Sequence, residues 1–244
     1  MKKIFTLIAS AVLALSANAQ KYEIVADATP AAGSKITSVE NITMTYSVTG
    51  DAAFKAAKNN GETLQTVSGY TAKTDGNGVN PVNETDSQGK EKYNPEKGAP
   101  TKGTFYVFEP TTDGNLEVFI ICNADKVFYV LEDGTNIATS MSAISPKAYN
   151  ETGEAIEDLE FTDGKFNSKV YGTVTFSVKA GKKYHVFVAG SKLGFGGFTF
   201  PAPDPSAVES VAEAKAEAKA APVKVITANG VQIGNYNIAG QQVK

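Results

Sequence analysis

The sequence predicts an all-β protein, built as an antiparallel β-sandwich of jelly-roll-like type. Three observations carry that prediction. Runs rich in β-branched and aromatic residues recur from residue 21 to residue 200, separated by Gly, Asp, Asn and Pro. Several alternate with period two. The strictest is residues 173–179, where Val174, Phe176 and Val178 are apolar between polar neighbours. No long helical period occurs before residue 206. Roughly eight to ten short strands with frequent turns are the pattern of sandwiches and barrels.

The first 19 residues read as an export signal. Lys2 and Lys3 precede an apolar run at residues 4–15, too short to span a bilayer as a helix. Ala17-Asn18-Ala19 is a small-x-small cleavage site before Gln20. No cysteine lies at the cut, so a lipid anchor is not expected. The signal sends the chain out of the cytoplasm, to the medium or the outer cell surface, with the periplasm as the alternative. Residues 20–200 then form the sandwich, 201–222 a linker and 223–244 a short tail. No later segment is apolar for long enough to cross a bilayer as a helix.

Within the sandwich, residues 21–26 read as a first strand and residues 36–48 as a half-buried one, alternating from Ile42 onward. Residues 51–58 suit one or two helical turns with Asp51 as N-cap. Residues 62–70 read as another strand, and residues 71–102 as a long loop, functional or mobile. The clearest stretch is 103–134. It reads as a meander of strands 105–109, 116–122 and 127–132, with Asp113-Gly114 and Asp133-Gly134 as hairpin turns. Asp163-Gly164 is a third such turn. Strands 173–179, 184–189 and 195–200 close the domain, with Gly196-Gly197 marking a bulge or a close backbone approach. Three prolines in residues 201–205 end it. Residues 206–221 are Ala/Glu/Lys-rich. Glu209, Glu213 and Glu217 share one i,i+4 row and Lys215 and Lys219 another, so opposite charges miss the favourable pairing. The segment reads as a partly helical spacer, roughly 24 Å long if fully helical. Beyond Pro222 a two-stranded tail turns at Asn229-Gly230.

Composition excludes several chemistries. Every basic residue is lysine, and removing Lys2 and Lys3 leaves 21 lysines against 26 acids, a net charge of −5. An acidic chain without arginine is a poor match for nucleic acid. The single cysteine, Cys122, rules out an intrachain disulfide and a cysteine-based zinc site, and its apolar strand predicts a buried thiol. The single histidine, His185, lies mid-strand and reads as structural. No phosphate loop and no G-x-S-x-G elbow occurs. Acid clusters at Glu154, Glu157, Asp158 and Glu160, and at Glu84 and Asp86, read as solvated loop charge rather than as a glycosidase pair. No cofactor is expected. Calcium has one candidate grouping, Asp75, Asn77 and Asn80, but position twelve from Asp75 is Asp86 instead of glutamate, so these residues read first as turn formers. With Tyr93, Tyr149 and Tyr171 as aromatic faces, they are the candidate ligand-binding residues.

Two stretches resemble known families. In the tail, Tyr236, Asn237, Gly240 and Val243 match the Y-N-x-x-G-x-x-V pattern that opens the C-terminal sorting domains of the type IX secretion system of Bacteroidota. That resemblance implies the secretion machinery as a partner. Residues 76–200, with GNGVNP, NADKVFYVLEDGT, VYGTVTFSVKAGKKYHVF and GSKLGFGGFTF, resemble a recurrent non-catalytic domain of secreted and surface Bacteroidota proteins. The resemblance implies a jelly-roll sandwich accompanying polysaccharide-degrading enzymes or adhesin-like repeats, and carries over no ligand residues. The expectation is a non-enzymatic, weakly glycan-binding surface protein. The alternative is a structural or adhesive protein that binds another protein, and an orphan glycan hydrolase ranks last.

Overall fold

The computed structural model describes residues 19–47, 54–59, 61–76, 79–202, 224–227, 230–233 and 236–237. The chain divides into two compact units, residues 1–202 and 203–244. In the first, the elements run β1 (Ala19–Glu23), β2 (Lys35–Ile36), β3 (Ile42–Tyr46), β4 (Phe54–Lys58), helix α1 (Gly61–Ser68), β5 (Ala72–Gly76), β6 (Glu84–Thr85) and β7 (Glu91–Lys92). They continue with β8 (Tyr106–Pro110), β9 (Gly114–Cys122), β10 (Val127–Glu132), β11 (Thr135–Asn136), helix α2 (Met141–Ile144) and β12 (Lys147–Tyr149). Next come β13 (Phe161–Thr162), β14 (Lys165–Phe166), β15 (Val170–Val178), β16 (Tyr184–Ala189) and β17 (Gly194–Pro201).

The strands form two antiparallel sheets. Sheet I has the order β12-β15-β9-β17-β5-β4, and β1 also pairs with β17. Sheet II has the order β11-β10-β16-β8-β3-β2. β6-β7 and β13-β14 are separate small hairpins. The protein is therefore an all-β antiparallel sandwich. Its connectivity differs from the meander read in residues 103–134: β8 lies in sheet II, β9 in sheet I and β10 in sheet II. Asp113-Gly114 is thus a crossing between sheets. Asp133-Gly134 does close a hairpin, between β10 and β11, and Asp163-Gly164 closes β13-β14. Both residues of the first turn have positive φ, 47° and 92°, as a type I′ turn requires. A DG pair marks a tight reversal in sequence, but whether the next strand pairs or crosses depends on which face must be buried.

Period two puts Leu116, Val118, Ile120 and Cys122 of β9, Val174, Phe176 and Val178 of β15, and Tyr184, Val186 and Val188 of β16 into the shared core. Aromatic rings connect the layers. Tyr106 stacks on Phe195 with centroids 4.3 Å apart, and Phe108 meets Phe198 edge-on at 5.2 Å. Each such ring contributes roughly 2–3 kcal/mol by leaving water. The outer faces also carry apolar clusters. Leu64 of α1, Tyr70 and Tyr171 cover Phe119 and Ile121 on sheet I. Tyr93, from the segment between β7 and β8, packs on Tyr129 and Phe187 of sheet II.

Three local expectations are corrected. The first strand runs from Ala19 to Glu23, its register set by pairing with Phe200 and its neighbours. Residues 54–58 are a strand, not helix: Phe54 is buried and Ala56 packs against the core, while the five-residue ladder to β5 outweighs the helix preference of alanine. Asp51 lies outside the described residues. Residues 61–68 are a helix, not strand. Only Leu64 needs burial, and the Thr66 and Ser68 hydroxyls donate back to the Glu62 and Leu64 carbonyls at 2.9 and 2.6 Å. Residues 71–102, expected as a loop, instead contain β5 of sheet I and the β6-β7 hairpin, and beyond that hairpin Tyr93 and Ala99 pack on sheet II. Residues 206–221 of the predicted spacer also lie outside the described residues. In the second unit, β18 (Lys224–Thr227), β19 (Gly230–Ile233) and β20 (Tyr236–Asn237) form a three-stranded antiparallel sheet.

Candidate functional site, an end cleft of sheet I

Tyr171 of β15 pairs with Ile121 of β9, and Ile121 pairs with Gly194 of β17. Tyr171 and Ile121 point to the outer face of sheet I. Two residues further along each strand, the same period-two face is reached again. There stand Lys169, Asn123 and Lys192, side by side at the ends of three neighbouring strands. They line an open cleft of about 410 Å³. Lys73 and Asp75 of β5 wall it on one side, and Asn80 and Ser191 complete the rim. Gly194, without a side chain, keeps the floor open.

The charges in the cleft do not cancel. Lys73 Nζ lies 2.5 Å from Asp75 Oδ2, with both side chains half-buried. Lys169 Nζ sits 4.8 Å above the centre of the Tyr171 ring. Lys169 and Lys192 are exposed and form no ion pair with a described residue. Three ammonium groups against one carboxylate leave the cleft positive on a chain whose net charge is −3.

Of the predicted ligand residues, Asp75 and Asn80 share this cleft, and Asn77 lies outside the described residues. The tyrosines stand elsewhere. Tyr93 is half-buried on sheet II, its ring 5.0 Å from Tyr129 and 4.9 Å from Phe187. Tyr149 and Tyr171 are cross-strand partners on the outer face of sheet I, Tyr171 being buried. Each borders a different cavity on that face. In the tail, Tyr236 and Asn237 form β20, while Gly240 and Val243 lie outside the described residues. Lys73, Asn123, Lys169, Ser191 and Lys192 were not among the sequence candidates. Cross-strand register brings them together, and no local motif announces it.

Elsewhere, ionisable groups serve structure. Glu84 accepts from Asn94 Nδ2 at 3.0 Å and bridges Lys97 at 3.2 Å and Lys92 at 3.6 Å; those donors hold its carboxyl below the usual range. Asp86 is lowered by the Lys90 and Gln88 backbone N–H groups, at 2.9 and 3.0 Å. Glu154 accepts from Asn150 Nδ2 at 2.9 Å inside its own loop. Cys122 is buried, and burial pushes its thiol up to about 12. Among the described residues, no three His, Cys, Asp or Glu side chains converge, and no helix is long and apolar enough to cross a membrane. No known protein-family model matches the chain, and no curated protein sequence matches it.

Proposed function

We propose that this is a secreted or cell-surface, non-catalytic β-sandwich protein that binds glycan weakly through the end cleft of sheet I, as an accessory to polysaccharide use. The observation that carries the reading is the cleft itself. It is open rather than enclosed, and lysine, asparagine, serine and aspartate side chains converge on it from four elements, as hydroxyl-rich ligands require. Its one carboxylate, Asp75, is held by Lys73, whereas glycoside cleavage uses two carboxylates that face each other. The edge strands favour this reading over strand addition by a protein partner. β2, β11 and β12 are only two or three residues long, β4 carries the exposed lysines Lys55 and Lys58, and β1, paired only with β17, carries the exposed Lys21. The N-terminal signal and the Y-N-x-x-G-x-x-V tail support export, with the tail read by the secretion machinery.

The test is a thermal-shift screen against plant and host polysaccharides, with and without calcium. A ligand that binds only the folded state raises Tm. A reproducible rise with one glycan class, lost on Asn123→Ala, supports the reading. No rise with any glycan at high concentration overturns it.

A further inference from the structure

We propose that the cleft selects acidic glycans, polymers with repeated uronate carboxylates or sulfate esters, and that Lys169 and Lys192 each receive one anionic group. The proposal rests on the glycan-binding reading above and adds the ligand's charge and direction. The polar residues follow the strand order along one end of sheet I. Asp75 belongs to β5, Lys192 leads into β17, Asn123 follows β9 and Lys169 precedes β15. Lys169 also walls a neighbouring open cavity of about 550 Å³ that it shares with Asn150, which follows β12. The polar surface therefore runs across five adjacent strands. A linear polymer lying perpendicular to the strands meets all of it, and a compact ligand does not.

Spacing and charge point the same way. Lys169 and Lys192 stand on either side of β9, two strand separations or about 10 Å apart. That separation is close to a disaccharide repeat. Asn123 lies between them and offers an amide to the hydroxyls of the intervening sugar. Lysine ammonium groups are compact point charges that accept oxyanions in many orientations, so they suit a flexible polyanion better than one fixed planar group. A positive cleft on an otherwise acidic surface concentrates anions there rather than over the whole protein.

Affinity electrophoresis of the full chain tests this, with polygalacturonate, its fully methyl-esterified form, chondroitin sulfate and a neutral glucan as probes. Polygalacturonate is expected to retard the protein, and methyl esterification to abolish the effect on the same backbone. Binding should weaken steeply with added salt. The double variant Lys169→Gln, Lys192→Gln removes two exposed charges and should bind about tenfold or more weakly, with Tm lowered at most slightly by loss of the Lys169 contact with the Tyr171 ring. Lys90→Gln, elsewhere on the surface, should bind normally. Retardation by chondroitin sulfate but not by polygalacturonate upholds the proposal, and its loss when the same chondroitin is desulfated, with its glucuronate carboxylates kept, makes sulfate esters the anionic source. Equal binding of methyl-esterified polymer or neutral glucan overturns acidic selection and leaves glycan binding standing. Polyanion binding that the double variant does not weaken overturns the site. Binding of no probe overturns the glycan reading itself.

Discussion

The Tyr106 hydroxyl donates across the core to the Thr74 carbonyl oxygen, 3.2 Å away, joining sheet II to the strand that walls the cleft. The Leu193 carbonyl lies 3.4 Å from the same hydroxyl. Thr74 and Leu193 sit between the cleft residues Lys73 and Asp75 on one strand and Lys192 and Gly194 on the other. One phenol on the core side thus fixes two backbones whose other face forms the cleft. Burial raises the Tyr106 phenol well above its ordinary pKa, so it remains a donor at all working pH values. Tyr106→Phe should cost about 1 kcal/mol in urea unfolding and weaken the proposed glycan binding about two- to threefold, by loosening β5 against β17. Unchanged binding at the reduced stability would show that the cleft does not depend on this link.

His185 sets a pH dependence of stability. It is only 9% exposed, its Nδ1 has no hydrogen-bond partner among the described residues, and its ring lies 5.8 Å from Phe105. Burial, reinforced by the positive charge of Lys183 and opposed by Glu109 and Asp133, lowers its pKa to about 4. The unfolded chain takes up that proton near pH 6.5, so it binds more protons than the native state between the two values. The neutral, buried histidine therefore contributes its full stability above pH 6.5 and loses it as pH falls toward 4. The loss should amount to about 3 kcal/mol. Urea unfolding of His185→Phe should lack this slope between pH 4 and 6.5, and a slope equal to wild type would refute the assignment.

How much of this was legible in sequence follows from range. Strand faces were readable because period two is local: Val174, Phe176 and Val178 of β15, and Tyr184, Val186 and Val188 of β16, all point into the core. The buried state of Cys122 followed from its apolar neighbours in the same way. Sheet membership was not readable, because β8, β9 and β10 look alike in composition and differ only in their partners. The 54–58 and 61–68 segments exchanged their expected structures, since one buried Phe54 and one buried Leu64 decided them against weak local preferences. For the cleft, Asp75 and Asn80 stood out in a Gly/Asn-rich segment. Asn123, Lys169 and Lys192 belong to three separate parts of the sequence and meet only through register.

The Gly196-Gly197 pair, expected to mark a bulge or a close approach, is where β1 docks. The register of β17 against β9 shifts between Phe195 and Gly197, and Gly197 pairs with Glu23 of β1. Its φ of 139° is rare for residues with a side chain, and a Cβ would lie 2.1 Å from the Tyr22 carbonyl oxygen. Backbone cannot yield as a flexible side chain can. Gly197→Ala should push β1 off the sheet, lower stability by about 2 kcal/mol or more and open residues 19–24 to hydrogen exchange. Retained protection at Tyr22 in the variant would contradict this.

Two aspartates hold the turn between β15 and β16 from opposite sides. Asp113 Oδ1 accepts from the Ala180 N–H at 2.9 Å while Oδ2 meets Lys179 Nζ at 2.8 Å. Asp133 Oδ1 accepts from the Lys183 N–H at 3.0 Å while Oδ2 meets Lys182 Nζ at 2.7 Å. The lysine bond is the larger cause, and both carboxyls are held below the usual range. Their contribution is complete above the unfolded carboxylate value near pH 4 and is lost as pH falls through the lower folded values. That window lies below the one governed by His185, so the two separate in one titration. Asp113→Asn with Asp133→Asn should lower Tm at pH 7 by a few degrees and flatten the loss of Tm below pH 4. High salt should remove only part of the difference at pH 7, because screening reaches the exposed lysine pairs more than the backbone hydrogen bonds. Parallel Tm curves for wild type and double variant below pH 4 would show that these carboxylates do not govern acid unfolding.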